Sequence, residues 1–401
     1  MNIWSDCPCL PLTEVLSFIV DNRGKTVPIT EGGPHQLIAT NCIRNETLYP
    51  VYEKVRYLSE ETYQTWFRSH PLPGDIIFVC KGTPGRTCMV PDPVDFCIAQ
   101  DMIALRVNES IIYNRYLLTV LRSRNIQMQI TNTSVGDVIP HFKKQFLDQI
   151  IIPIPPMDLQ RRIGDMYFSF SLKEENNKRI NDNLEQQAAA YYSHLFIENA
   201  SSDWREGTIS DLGTVVGGST PSKAKPEYYT DHGIAWITPK DLSLNKSKFI
   251  SHGENDITEQ GLKNSSAVIM PEGTVLFSSR APIGYIAIAA GKVCTNQGFK
   301  SVVPAPNIGT AFVYYFLKHN LPTIEGMASG STFKEVSGST MKSVPATIPD
   351  DVSLAQFDDF CRPIFNQQRT LEAQNQSLSS LRDSLLPKLM SGEIDVSDIE
   401  I

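Results

Sequence analysis

The stretch FDDFCRPIFNQQRTLEAQNQSLSSLRDSLLPKLMSGEI, residues 357–394, decides how the chain is built. Phe357, Ile364, Leu371, Leu378 and Leu385 recur every seven residues. Phe360 and Leu381 take the second position of the repeat, shared with Gln367, Gln374 and Lys388. A seven-residue apolar repeat keeps one face of a helix turned toward a partner helix. One seam cannot bury itself, so a second helix has to exist.

Residues 158–196, DLQRRIGDMYFSFSLKEENNKRINDNLEQQAAAYYSHLF, supply a candidate. Ile163, Phe170, Leu184 and Tyr191 follow the same repeat, interrupted by Asn177, with Met166 and Ile180 in the second position. The two registers coincide at an offset of 194. Two amphipathic helices packed on separate cores would also fit; the shared register favours pairing with each other or with a partner's helices. Asn177, Gln187, Gln367 and Gln374 put polar groups in the seam, which weakens such a pair but fixes its register. The first helix has no proline between Met157 and Phe196, whereas Pro363 and Pro387 interrupt the second pattern, predicting a kink or break near Cys361–Pro363.

Working outward from the helices, the chain is one unit written twice. PGDIIFVCKGTPGR (73–86) aligns with EGTVLFSSRAPIGY (272–285) at an offset of 199, bringing Gly74 onto Gly273 and Phe78 onto Phe277. FCIAQDMIALRV (96–107) aligns with VCTNQGFKSVVP (293–304), setting Gln100 opposite Gln297. Residues 132–155 align with 328–349 at an offset of 194. Each copy reads as an opening strand (13–20; 207–216), a variable polar region, a turn into an apolar strand, another strand and a short helix. A polar loop, a last strand and the long helix follow, with Asp158 or Asp351 as cap. Strands and helices without regular βαβ alternation predict an α+β fold. The expected boundaries are a globular domain over 1–155, a helix over 156–198, a second domain over 199–350, a helix over 351–392 and an acidic tail over 393–401.

With 401 residues, 41% hydrophobic and 20% charged, the composition is that of a folded protein of more than one domain. No apolar run is long enough to span a bilayer, and MNIWSDCPCL lacks the plan of a signal peptide, so the expectation is the cytoplasm with no membrane partner. The eight cysteines lack zinc-site spacing and read as reduced thiols. A net charge of −8 argues against nucleic-acid binding unless the positive charge is local or a partner supplies it.

Catalytic motifs are missing. No Asp-Pro-Pro-Tyr or Asn-Pro-Pro-Tyr methyltransferase motif occurs, and IPIPPMD (152–158) lacks the preceding acid or amide. No lysine follows an acid by two residues as in common nucleases. Neither a phosphate loop nor HExxH is present. These absences predict a protein that is not an enzyme, without a metal site or cofactor of its own.

Several stretches resemble the specificity subunit of type I restriction–modification systems. They are VVGGSTPSKAKPEYYTDHGIAWITPKDLS (215–243), GTVLFSSRAPIGYIAI (273–288), TNQGFKSVVP (295–304), GSTFKEVSGSTMKSVPATIP (330–349) and LRDSLLPKLMSGEI (381–394). The first copy matches mainly in PGDIIF and VGDVIPHFKKQFLDQIIIPIPP (135–156). The resemblance implies two target-recognition domains, each reading one half of a bipartite site on double-stranded DNA. The long helices would form an antiparallel coiled coil that sets the spacer and docks two methyltransferase subunits. Restriction/translocase subunits would join them, with S-adenosylmethionine, ATP and magnesium on the partner subunits only. A helical scaffold without sequence preference, and the specificity subunit of a methylation-only system, are the alternatives.

DNA contacts need Lys, Arg and small polar donors for the backbone, and Arg, Lys, Asn and Gln for base edges. In the first copy the candidates are Lys81, Arg86, Gln100, Asn132, Thr133, Lys143 and Lys144. In the second they are Ser219, Thr220, Lys223, Lys225, Lys240, Arg280, Asn296, Gln297, Lys300, Thr332 and Lys334. Gln100 and Gln297 have a structural alternative, because residues that read different half-sites should differ between the copies. Tyr191 reads as seam packing and Tyr192 as a candidate contact to a methylating subunit.

Overall fold

The computed structural model describes residues 7–22, 24, 26–136, 140–330, 334–391 and 393–394. Thr332 lies outside them, as do Gly392, the expected helix stop, and most of the acidic tail. The chain divides into two compact units, residues 1–177 with 374–401, and residues 178–373. Both are α+β.

The units share one strand plan. In unit 1 a four-stranded sheet runs in the order Leu16–Val20, Met102–Val107, Ile76–Val79, Thr87–Met89, all antiparallel. In unit 2 its counterpart runs Gly213–Gly217, Lys300–Pro304, Val275–Ser279, Ile283–Ala289, with Phe249–Ile250 added in parallel at the edge. A second sheet pairs His35–Ile38 with Arg56–Leu58 antiparallel and with Phe96–Ile98 parallel. Its counterpart pairs Ile234–Ile237 with Asn255–Ile257 and Cys294–Thr295 in the same senses. The turns before the central strands are also equivalent. Gly74 and Gly273 both have φ +83, where a side chain is strained. Their carbonyls accept hydrogen bonds from Asn114 Nδ2 and Thr310 Oγ1, each beginning the short helix.

Four expectations need correction. The opening strand of each copy is two pieces. Cys9–Pro11 and Arg205–Thr208 pair with the last strands, Ile151–Pro153 and Pro345–Ile348, and a helical turn separates them from the main sheet. In unit 2 the Thr208–Asp211 capping box makes that turn. The polar loop after the short helix contains another helix, Arg124–Thr133 or Leu321–Gly326. The distal helix, Asp351–Ser391, runs unbroken through Pro363 and Pro387. Both prolines are exposed, as is Asp359, four residues before Pro363, so water can take the carbonyl that loses its partner. Its cap is Asp350, which accepts from the Ser353 backbone N–H at 2.8 Å, one residue before the expected Asp351.

The central helix spans Met157–Ser193 and ends in a wider turn, His194–Glu198. Within each unit a segment of this helix lies antiparallel to a segment of the distal helix. In unit 1 Asn177 donates to Asn375 at 2.8 Å, and Arg382 meets Glu174 at 2.7 Å. In unit 2 Gln368 donates to the Asn181 carbonyl at 3.2 Å, and Gln356 to the Tyr191 hydroxyl at 2.7 Å. Ile163, Phe357, Ile364 and Leu371 are buried, and Met166, Phe170, Leu184, Tyr191, Leu378 and Leu385 half-buried. Ile180, Phe360 and Leu381 are exposed, although the Phe360 ring still meets Tyr191 at 4.4 Å. The second seam of the distal helix therefore falls one residue later than expected, on Cys361, Gln368, Asn375, Arg382 and Leu389. Burial of Gln368 and Arg382 needs the polar partners they find, which an apolar pattern does not reveal.

Candidate nucleic-acid interface

In unit 1, Asp21, Gly24, Lys81, Gln100, Asp101 and His141 line an open cleft of 510 Å³. Lys81 reaches Asp101 at 4.0 Å, and Lys144 reaches Asp21 at 3.3 Å. Gln100 Nε2 donates to Thr26 Oγ1 at 3.5 Å. The floor is backbone: Cys80 N–H donates to the Asp101 carbonyl at 2.7 Å, and Phe142 N–H to the Cys80 carbonyl at 2.7 Å.

Unit 2 repeats this arrangement. Ser279 N–H donates to the Gly298 carbonyl at 2.7 Å, and Val336 N–H to the Ser279 carbonyl at 3.0 Å. Thr220 Oγ1 donates to Gln297, which corresponds to Gln100. Arg280, in the place of Lys81, meets Glu335 at 3.4 Å, and Lys300 meets the same carboxylate at 3.7 Å. Ser219 is fixed beside them, its N–H on the Thr295 carbonyl at 2.9 Å and its carbonyl accepting from Trp236 Nε1 at 3.0 Å. Asn296 Oδ1 accepts from the Gly298 N–H at 2.9 Å, which holds that loop in shape.

Of the residues singled out, the structure thus gathers Lys81, Gln100 and Lys144 in one unit, and Ser219, Thr220, Arg280, Asn296, Gln297 and Lys300 in the other. Lys143 is exposed immediately before Lys144, and Lys334 immediately before Glu335. The others stand apart. Arg86 is half-buried beside strand Thr87–Met89, while Asn132 is exposed and Thr133 half-buried at the end of their helix. Lys223 is exposed, Lys225 leans on the Tyr228 hydroxyl at 3.1 Å, and Lys240 pairs with Glu254 at 2.6 Å. Tyr192 is buried against Phe196, Phe312, Tyr315 and Phe357, which corrects its reading as a surface contact.

Several participants carried no signal of their own in the sequence. Arg68 donates to the Asp21 carbonyl at 3.4 Å from the variable polar region, where the two copies diverge in sequence. His141 and Glu335 occupy equivalent places only at the offset of 194, so the alignment could have found them. Chemically the two sites offer cations, amides and carboxylates at loop edges, suited to hydrogen bonding with a polyanion. Burial pushes the Cys97 and Cys361 thiols up to about 12 and the Cys294 thiol to about 11, so none of these three is a ready nucleophile. Among the described residues no His, Cys, Asp or Glu cluster is placed to hold a metal ion, and no helix is long and apolar enough to cross a membrane.

Comparison with known proteins agrees with this duplicated plan. The family described as type I restriction modification DNA specificity domain matches residues 33–186 and again 201–360. The MjaIX type I restriction enzyme specificity subunit of Methanocaldococcus jannaschii is 41% identical over 179 residues, 42% of this chain and 41% of that protein. The HindI specificity subunit of Haemophilus influenzae is 22% identical over 400 residues, 80% of this chain and 86% of that one. A crystal structure of the type I restriction–modification system S subunit from M. genitalium superposes with a TM-score of 0.60 at 16% identity, over 97% of this chain and 98% of that one, and so shares the fold.

Proposed function

We propose that this chain, which belongs to the family of type I restriction–modification DNA specificity subunits, selects DNA by reading a bipartite site, one half with each unit. The observation that carries this reading is the paired constellation: a threonine–glutamine contact beside a cation on an equivalent turn, once in each copy. Duplicated sites suit a split target, because base edges are read by short-range contacts.

In this reading the two long helices fix the spacer between half-sites and carry docking faces for two methyltransferase subunits, with restriction/translocase subunits joining the assembly. Supporting this, each helix contributes a segment to each unit. The chain performs no chemistry itself; S-adenosylmethionine, ATP and magnesium belong to the partner subunits. The net charge of −8 then fits, since partners supply part of the clamp on the phosphates.

The test is binding by the chain assembled with its methylating partner. A split duplex identified by methylation-sensitive sequencing of the host genome should bind about 10³-fold or more tighter than scrambled duplex. Equal affinity for both would instead support a helical scaffold without sequence preference. Methylation without cleavage by the complete system would identify a methylation-only complex.

A further inference from the structure

The two sites share a framework and differ in their charges. Lys81 follows strand Ile76–Val79 after one residue, and Arg280 directly follows strand Val275–Ser279, at equivalent places in the repeat. The next residue is left-handed in both units, Gly82 at φ +85 and Ala281 at φ +51. Alanine rarely adopts that conformation, and such strain persists where the surroundings impose it, often at ligand sites. The threonine–glutamine contact is common to both units, so it cannot distinguish one half-site from the other.

The groups around the cation are not common. In unit 1, Lys81 faces Asp101, and His141 is the residue bridged to it through the backbone. In unit 2, Glu335 stands in the place of His141. Its backbone is locked by paired bonds with Ser329, 2.9 and 3.1 Å, and Val336 anchors it to the turn through Ser279. Glu335 meets Arg280 through one guanidinium nitrogen at 3.4 Å. That is a long contact, which a base edge can outcompete. Glu335 also takes Lys300 at 3.7 Å, so the carboxylate is shared between two cations and holds neither tightly.

We propose that Arg280 is a base-reading residue of unit 2, engaging O6 and N7 of a guanine, and that Glu335 is its positioning residue. The inference rests on the DNA-selecting role above and goes beyond it to one side chain and one base. A guanidinium presents two parallel N–H donors in a fixed fork that matches those acceptors, whereas an ammonium, which can also reach them, holds no such geometry.

The test uses the full chain in complex with its methylating partner, selecting from a pool of randomised duplexes. Arg280→Ala loses about 10-fold or more of its preference at one G·C pair of one half-site, and the other half-site is unchanged. Arg280→Lys loses the same preference while retaining the salt dependence of binding. Glu335→Gln raises affinity for scrambled duplex and lowers selectivity, whereas a merely structural glutamate would lower both affinities. The inference is overturned if Arg280→Lys restores wild-type selection, if Arg280→Ala weakens all sequences equally, or if neither variant changes selection. Should Arg280→Ala fail to fold, Arg280→Lys alone decides. A wild-type complex that selects no sequence would overturn the reading of the chain itself, a separate result.

Discussion

The Lys248 backbone N–H donates to the Glu372 carboxylate at 2.8 Å, joining the edge strand of unit 2 to the distal helix. The other carboxylate oxygen accepts from Phe249 N–H at 3.0 Å. Lys248 Nζ contacts Glu185, lies 2.7 Å from Gln368 Oε1 and sits 4.2 Å over the Phe365 ring. Two carboxylates and a buried lysine therefore join the edge strand of unit 2 to its helix segments.

These groups predict a pH optimum. Burial pushes the Glu372 carboxyl up, only partly offset by its two N–H bonds and Lys248. Burial would also raise Glu185, but the charges and hydrogen bonds of Lys248 and Lys318 override it and hold it at about 2. As pH falls from neutrality, folded Glu372 takes its proton before the unfolded chain does, and stability rises. Below about pH 4.5 the unfolded chain protonates Glu185 first, and stability falls until about pH 2, by about 3 kcal/mol in all. Stability from these two groups thus peaks near pH 4.5. Glu372→Gln removes the upper limb. Melting temperature against pH checks this; an unchanged upper limb in the variant would refute it.

The Glu174–Arg382 pair in unit 1 gives a second prediction. Both side chains are under a tenth exposed, and they meet at 2.7 Å across the two helices. Removing one partner breaks a buried ion pair, which contacts such as that of Arg382 with Asp383 at 3.1 Å only partly replace, so Glu174→Ala or Arg382→Ala alone costs about 3 kcal/mol. Replacing both with Leu and Met restores most of it, because desolvation of an ion pair offsets much of its attraction. Urea unfolding of the four proteins compares these losses; a Leu/Met variant as destabilised as the sum of the two Ala variants would contradict it.

That pair also shows where sequence reading stopped. The long helices and the duplicated α+β plan were legible, because apolar repeats and turn residues act locally. The position of the second seam was not. Gln368, Asn375 and Arg382 belong to it, and their burial depends on Lys248, Asn177 and Glu174, distant in sequence. Pro363 suggested a break because its cost is local, whereas tertiary contacts of Ile364 and Phe365 hold the helix through it. At the sites, Lys81 stood out as a cation in a glycine turn, and Arg280 as one within a stretch that resembles the family. Asp101, His141 and Glu335 did not, since an acid or histidine becomes informative only once the fold sets it beside a cation.

The turns bearing Lys81 and Arg280 make a prediction about stability. A Cβ at Gly82 would meet no atom within 4 Å, so Gly82→Ala tests backbone conformation alone. It should cost about 1 kcal/mol, the left-handed penalty less the gain from a stiffer unfolded chain. Ala281→Gly should move stability the opposite way, by about 0.5 kcal/mol, as strain at φ +51 is released against the entropy of glycine. Calorimetry distinguishes these signs, and a stabilising Gly82→Ala would show that the turn does not impose the conformation.

Lys144 provides a contrast with Arg280. Its ammonium is 3.3 Å from Asp21, a residue that lines the unit 1 cleft, and its side chain is 44% exposed. A compact, exposed point charge suits a phosphate, which carries no sequence information. Lys144→Ala should therefore weaken specific and scrambled duplexes by the same factor. Removing one cation that neutralises a phosphate makes the slope of log affinity against log salt shallower by about 0.9. Titrations of the assembled complex at several salt concentrations measure that slope directly. An altered recognition sequence with an unchanged slope would move Lys144 from the backbone to a base edge.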